Sequence, residues 1–250
     1  MNKNPTPEQI RDLAKKKQEE LIKSPKFSVT FSYPHNFQNL TEHFMDSFTN
    51  LLLHETGKSR KDRILGSILK EGSCYVSFNR GRIVVNFINS SQDSHLLMVD
   101  PDISFKPDIL EQFKILVEHY PEAGIIAARV DVRNGLPVFY YQHPDKISTV
   151  QYSFPFLGIK EFDYVGTGII LISRKVLFDL FLRFNHCHFF NMIIEPETNR
   201  LLGDDLSFCK IAKENGHKVY GAWEVFGQHH KDFPVPSRYP SLEDVKITKR

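Results

Sequence analysis

The amino-acid sequence predicts an α/β domain whose mostly parallel sheet is flanked by helices and carries a small β excursion. Two apolar runs, at 94–99 and 123–130, have the continuous character of strands that are buried on both faces. Residues 37–53 and 107–120 repeat their apolar positions at helical spacing, so helices alternate with these strands. Residues 131–162 are rich in Tyr, Phe and Pro, which predicts a hairpin or loop excursion.

The first elements precede this pattern. Residues 1–25 predict an amphipathic helix, because Thr6 is a good N-cap and Pro7 suits the first helical position. Residues 27–32 alternate apolar and polar side chains, which predicts a strand that Pro34 stops.

The region before the first apolar run contains two further segments. Residues 75–78 predict a short strand or extended entry, and residues 80–88 predict a helix.

The second half of the chain then continues the alternation of strands and helices. We expect a strand at 165–173, a helix at 175–184, an irregular loop at 185–200, a helix at 204–215 closed by Gly216, and a strand at 218–225. One domain therefore spans 26–230, between the helix at 1–25 and an extended tail at 231–250.

Charge and cysteine content narrow the class of protein. The 32 basic and 30 acidic residues are nearly balanced, which disfavours a polycation that binds nucleic acid through its net charge. The three cysteines lack a CxxC spacing, so we expect reduced thiols in a cytoplasmic compartment, the host cytoplasm if the protein is viral. No signal peptide and no apolar run of about 20 residues is recognisable, so we expect no membrane span.

The strongest functional pattern is the acidic pair Asp100-Pro101-Asp102 at the end of an apolar strand. Ligands of open α/β sheets bind at the carboxyl ends of the strands. Two carboxylates two residues apart on such a turn can reach one hard divalent cation, which in turn can bridge to a diphosphate. A turn rich in Asp and Pro is the structural alternative.

Four segments together resemble GT-A fold glycosyltransferases, of the family-2 type found in bacteria and phages. The residues 96–108 resemble the segment in which an apolar strand ends in DxD and a Pro-Asp pair leads into a helix. Residues 163–174 resemble the acceptor-side Gly-rich strand, and residues 202–209 resemble the acidic helix start of that family. Residues 77–81 resemble an Arg-bearing turn ahead of the DxD strand. The resemblance covers about 27–230, but the usual Pro-aromatic-Asn ending of the first strand is absent.

The resemblance implies a Rossmann-like fold and a divalent cation, Mn²⁺ or Mg²⁺, that assists departure of a nucleoside diphosphate. Asp102 would be the principal metal ligand, and Asp100 would bind the metal, the ribose or both. The family often adds a histidine from the carboxyl-terminal end of the domain, and His229 and His230 follow the last strand. A surface histidine pair is the alternative.

Asp204 and Asp205 open a predicted helix, where either carboxylate would also be favoured as a cap. The functional interpretation is a general base that deprotonates the acceptor hydroxyl during an inverting attack. By resemblance, Asp205 occupies the usual base position and Asp204 is its neighbour.

Donor binding is predicted for four further residues. Arg80 could pair with the donor phosphates, since a guanidinium binds phosphate through two hydrogen bonds. Gly166, Thr167 and Gly168 could allow close approach of backbone to a sugar. A surface arginine and a simple turn are the respective alternatives.

These features predict an enzyme that moves a sugar from a nucleoside diphosphate sugar, with a UDP-sugar favoured, to an acceptor hydroxyl on a glycan or on a modified DNA base. A catalytically inactive relative that binds carbohydrate or nucleic acid is one alternative, and a nucleotidyltransferase is another. The latter would need a Gly-rich, basic phosphate loop near the amino terminus, which we do not find. The basic run at 58–63 predicts a solvated loop, with phosphate contact as the alternative.

Overall fold

A computed structural model describes residues 7–23, 26–35, 40–73, 75–131, 135–143, 149–184, 189–196 and 199–230. These residues form six helices: α1 Pro7–Ile22, α2 Glu42–Gly57, α3 Val76–Ser90, α4 Ile109–His119, α5 Arg174–Phe184 and α6 Asp204–Glu214. The strands are β1 Val29–His35, β2 Leu65–Gly72, β3 His95–Val99, β4 Ile103–Phe105, β5 Ile125–Val130, β6 Phe139–Gln142, β7 Thr149–Gln151, β8 Ile159–Phe162, β9 Tyr164–Val165, β10 Ile169–Ser173, β11 Ile193–Ile194, β12 Leu201–Leu202 and β13 Val219–His229.

The predicted α/β class is confirmed by an eight-stranded central sheet. Its order is β2-β1-β3-β10-β5-β13-β4, with β8 paired to β13. Five strands run in one direction, namely β2, β1, β3, β5 and β13, and the other three run against them. The sheet is therefore mixed, because β10 lies antiparallel between β3 and β5.

The sheet is covered on both faces, as its apolar strands predict. Alternate residues of β3 point to opposite sides, so that Leu96 and Met98 join one core cluster and Leu97 and Val99 join the other. Helices α3 and α5 contribute to the first cluster, and α2 and α4 contribute to the second.

Several predicted elements differ from the observed ones in the first half. Residues 75–78 are not a strand: Tyr75 caps α3 and the next three residues form its first turn. Strands β2 and β4 were not predicted, since β2 is a half-exposed edge strand and β4 has only three residues. Pro34 does not stop β1, because beyond Ser32 the strand pairs only with β2, which leaves its other side without a ladder.

The second half follows the prediction more closely. The excursion contains the β6–β7 hairpin, which β9 extends to a three-stranded sheet. Gly216 closes α6 with a φ of +83°, a left-handed conformation that glycine adopts without strain. The described part of the expected loop at 185–200 contains the short strand β11, which pairs with β12 directly after the loop. The last strand is longer than expected and reaches His229.

Helix α1 contacts the domain through the buried Gln18 and the partly buried Ile22. Gln18 donates a hydrogen bond to the Ile88 carbonyl at 2.7 Å and accepts one from Arg174 Nη1 at 2.8 Å. The predicted cap Thr6 and the tail at 231–250 lie outside the described residues. None of the described helices is both long and apolar enough to cross a bilayer. Cys209 is buried as a free thiol, whereas Cys74 and Cys187 fall outside the described ranges.

Candidate functional site

The acidic turn lies where the sequence predicts it, directly after β3. The turn is held from two sides: the Asp100 N–H donates to the Gly168 carbonyl at 2.8 Å, and the Thr41 N–H donates to the Pro101 carbonyl at 3.1 Å. Thr41 is also the N-cap of α2, so its hydroxyl accepts the Phe44 N–H. Strand β10 and helix α2 thus fix the backbone of Asp100-Pro101-Asp102.

Arg80 joins this turn to the acidic helix start. Its Nη2 donates to Asp100 Oδ1 at 2.7 Å, and its Nη1 donates to Asp204 Oδ2. The Arg80 side chain is 4% exposed, while the two carboxylates keep 26% and 28% of their exposure. The phosphate partner predicted for Arg80 is thus replaced, in this structure, by two carboxylates.

The electrostatics of this bridge favour a charged arginine. Burial alone would lower the pKa of Arg80, but the nearby charges of Asp100, Asp204 and Asp205 outweigh it, so the pKa is raised. Conversely, burial raises the pKa of Asp100, and Asp102 and Asp204 act in the same direction while Arg80 opposes them. The cluster holds more carboxylates than cations, which is the condition under which a divalent cation is attracted.

Asp102 is brought together with a histidine from the far end of the domain. Strand β13 pairs antiparallel with β4, so that His229 lies opposite Ile103. His229 Nε2 lies 2.8 Å from Asp102 Oδ2, and the His230 N–H donates to the Asp102 carbonyl at 2.7 Å. The structure therefore selects His229, of the predicted pair, as the imidazole beside the acidic turn.

The His230 ring points elsewhere. Its Nε2 is hydrogen-bonded to Ser104 Oγ at 2.7 Å, and the ring stacks on that of His43 with a centroid distance of 3.9 Å. Burial and the neighbouring rings of His43 and His229 lower the pKa of His230, which favours the neutral ring. His43 was not predicted as part of the site, because nothing in its local sequence marks it.

The helix start of α6 does not use its acidic residues as a conventional N-cap. Gly203 is the capping residue and no side chain satisfies the cap. Asp204 is bound to Arg80, whereas Asp205 Oδ1 accepts the N–H of Leu206 at 2.9 Å. Burial, followed by the charge of Asp204, raises the pKa of Asp205, which moves this carboxyl toward the range of an effective general base.

The Gly166-Thr167-Gly168 segment reaches the same edge, but protein packing explains its glycines. A Cβ on Gly168 would lie 2.7 Å from Ile103 Cδ1, and one on Gly166 would overlap Val138. Thr167 is only 3% exposed. The segment therefore supports the acidic turn through the Gly168 carbonyl, and its glycines are required without any bound sugar.

Two donor atoms at the turn, Asp102 Oδ2 and His229 Nε2, have the spacing of adjacent ligands of a divalent cation, but among the described residues Asp100 does not join them in a group of three within 4.8 Å. Ligand atoms of an octahedral ion at about 2.1 Å from the metal lie roughly 3 Å apart when they are adjacent. The 2.8 Å between Asp102 Oδ2 and His229 Nε2 is close to that separation. Carboxylates suit Mg²⁺ and Mn²⁺, and an added imidazole favours the transition metal, so Mn²⁺ matches this set of atoms better.

A second group of potential ligand atoms, His54, Glu55 and Glu111, lies between α2 and α4. The Lys58 ammonium is paired with both of its carboxylates. Glu55 also accepts the backbone N–H groups of Ile64 and Leu65 at 2.8 and 2.9 Å. Because Lys58 is shared by both carboxylates and the backbone N–H groups hold the second oxygen of Glu55, we interpret this group as a structural ion pair.

Comparison with known proteins identifies no family for the chain. No protein-family model matches it, and no curated protein matches it either. Among solved structures, the crystal structure of A197 from STIV shares 13% sequence identity and covers 89% of this chain and 98% of its own, with a TM-score of 0.47. The chemistry of the site therefore rests on its own residues.

Proposed function

We propose that the protein is a metal-dependent glycosyltransferase of GT-A type that uses a nucleoside diphosphate sugar. The observation that carries the proposal is the meeting of four distant segments at one sheet edge: Arg80 bonds to both Asp100 and Asp204, and His229 lies against Asp102. These segments are those that the sequence marks as metal-binding and base-bearing. Such a convergence is expected for a site and is not required by the fold.

The metal site would consist of Asp102 and His229, with Asp100 as a third ligand or as a partner of the ribose. A bound Mn²⁺ or Mg²⁺ would stabilise the negative charge that develops on the departing diphosphate. Arg80 is a positioning residue in this proposal. Its two hydrogen bonds hold the Asp100 carboxylate and the start of α6 in fixed relation.

Asp205 is the proposed general base. In the transfer, Asp205 accepts the proton of the acceptor hydroxyl while that oxygen attacks the anomeric carbon, and the bond from this carbon to the diphosphate oxygen breaks. The raised pKa of Asp205 increases its proton affinity, which suits a group that accepts a proton. Attack from the face opposite the leaving group inverts the anomeric configuration.

The proposal is tested by measuring the release of nucleoside diphosphate from nucleoside diphosphate sugars, in the presence of Mn²⁺ or of a chelator. UDP-sugars are tested first, and donors with other sugars and other bases follow. We expect Mn²⁺-dependent release by the wild type and a loss of roughly 100-fold or more in Asp102→Asn and His229→Gln. The matched controls are Asp12→Asn on α1 and His119→Gln at the end of α4, two exposed positions that take part in none of the described contacts of the turn. Equal activity of Asp102→Asn and wild type, or pyrophosphate as the product, would reject the proposal.

A further inference from the structure

A large groove lies at the edge of the sheet opposite the acidic turn. It has a volume of about 1240 Å³ and is lined by the segments that lead into β1, β2, β3, β5 and β13 and by the start of α5. His95, at the amino end of β3, lines it, whereas Asp100 follows the carboxyl end of the same strand. Five residues of strand, about 17 Å, therefore separate the two edges.

The lining of this groove is basic, although the whole chain is nearly neutral. Seven of its residues are Lys or Arg and three are acidic. Arg174 is buried and bonded to Gln18 and to backbone carbonyls, so six cations remain for a ligand. They are Lys26, Lys61, Arg63, Lys114, Lys175 and Lys218. This local excess exceeds the formal net charge of +2 of the complete sequence.

Most of these cations are accessible to an anion. Lys26 and Lys61 are exposed and form no ion pair within the described part of the chain. Lys114, Lys175 and Lys218 pair with surface carboxylates, at 3.7, 2.6 and 2.9 Å. Exposed pairs of this kind contribute about 0–1 kcal/mol, so phosphate can replace the carboxylate at little cost.

The start of α5 adds to the positive potential of the groove. The first turn of this 11-residue helix contains no acidic residue and begins with Arg174 and Lys175. Cations at this end oppose the helix dipole, which favours anions there. Two cations at the amino end of α5 are unfavourable for the helix itself. Together with the lysines of the neighbouring loops, they are consistent with a surface that binds an anion.

The cations are spread along the sheet edge. The loop before β2 and the loop before β13 are separated by five spacings between neighbouring strands of the sheet. At about 4.8 Å per spacing, this array is roughly 24 Å long, which corresponds to about seven nucleotides of one B-form strand.

We propose that this groove binds the phosphodiester backbone of a nucleic acid. A concave, linear array of cations fits an extended polyanion better than a flat anionic bilayer. The proposal is independent of glycosyl transfer, because it involves no residue of the acidic turn.

The test is binding of a fluorescently labelled 20-base-pair duplex DNA, measured by anisotropy at several salt concentrations. The wild type is expected to bind with a slope of log affinity against log salt between about −3 and −5. Lys26→Glu/Lys61→Glu should weaken binding at least tenfold and make the slope shallower by about 2. Lys26→Gln/Lys61→Gln should act in the same direction with less change in stability.

The control is Lys70→Glu/Lys106→Glu, which reverses two exposed lysines outside the groove and should change affinity less than about threefold. Asp102→Asn should bind DNA as the wild type does, whatever its transferase activity. Equal weakening by both lysine pairs, a slope near zero, or equal competition by polyglutamate would overturn the proposal. So would loss of DNA binding in Asp102→Asn, because that result would locate the nucleic acid at the acidic turn.

Discussion

Arg80 holds two carboxylates that lie 20 and 124 positions away in the sequence. Its guanidinium is almost completely buried, so the charge is tolerated only because both carboxylates receive its hydrogen bonds. At the scale of single residues, this bridge decides how the acidic turn and α6 are arranged.

Substitution of Arg80 tests that bridge. We expect Arg80→Met to lower the free energy of unfolding by about 2–3 kcal/mol, since two partly exposed carboxylates would lose their partner. Arg80→Lys retains the charge but cannot reproduce the two-pronged geometry, so it should recover stability better than activity. Urea unfolding and donor hydrolysis measure the two effects. Wild-type activity in both variants would show that the bridge does not position the site.

Asp205 leads to a prediction about pH. A general base must be ionised, so activity falls when the pH is lowered through the pKa of Asp205. Because this pKa is raised, the fall should occur at a higher pH than it would with an ordinary aspartate. Asp204→Asn removes a neighbouring negative charge and should shift this acidic limb of kcat/KM to lower pH. Asp205→Asn should lose about 100-fold or more in kcat and have no such limb. An unshifted limb in Asp204→Asn would contradict the assignment.

The sequence predicts the individual site residues better than their contacts. Asp100, Asp102, Asp204 and Asp205 are recognisable because each follows a local pattern of strand end or helix start. The Arg80 bridge is not recognisable, because it depends on a non-local approach of α3 to α6. The choice between His229 and His230 likewise requires the pairing of β13 with β4.

At the scale of elements, Glu55 connects the end of α2 to the start of β2. Its buried carboxylate accepts the N–H groups of Ile64 and Leu65 and pairs with Lys58. Burial raises its pKa, but these bonds together outweigh burial and lower it. The stabilisation is therefore present above the ordinary carboxyl pKa and is lost as the pH falls through the lowered value.

Glu55→Gln should consequently lower the free energy of unfolding by about 1–3 kcal/mol near neutral pH. The difference from the wild type should shrink as the pH falls below the ordinary carboxyl pKa and through the lowered pKa of Glu55, since Glu55 then becomes uncharged. The control is Glu118→Gln on α4, where the side chain is 57% exposed and an effect within about 0.5 kcal/mol is expected. A pH-independent difference would argue against an ionised Glu55.

The predicted elements are accurate where the apolar periodicity is strong. They are inaccurate where the pairing of one strand with another determines the structure. Helices α4, α5 and α6 have clear boundaries in the sequence, as do the buried strands β3 and β5. The reversed direction of β10 has no local mark, because an apolar strand buried on both faces reads the same in either direction. Strand β2 was missed because an edge strand with a half-exposed pattern resembles a loop.

At the scale of the whole molecule, the sheet separates two kinds of charge. Its carboxyl edge gathers Asp100, Asp102, Asp204 and Asp205, and its amino edge gathers the six cations of the groove. The nearly balanced composition conceals this separation, which arises only when the strands are aligned. The proposed nucleotide-binding edge and the proposed polyanion-binding edge would therefore not compete for the same ligand.

The most direct test of the central claim, that the acidic turn binds a divalent cation together with a nucleoside diphosphate, is a thermal-shift measurement with UDP and other nucleoside diphosphates. A ligand at one hundred times its Kd adds about 2.7 kcal/mol to stability, which raises Tm by roughly 5–10 °C in a domain of this size. We predict such a shift with UDP and Mn²⁺ together, and little shift with either alone. In Asp102→Asn, UDP and Mn²⁺ together should raise Tm no more than either ligand alone does in the wild type. A shift that persists in a chelator or in Asp102→Asn, or the absence of a shift with every nucleoside diphosphate, would contradict it.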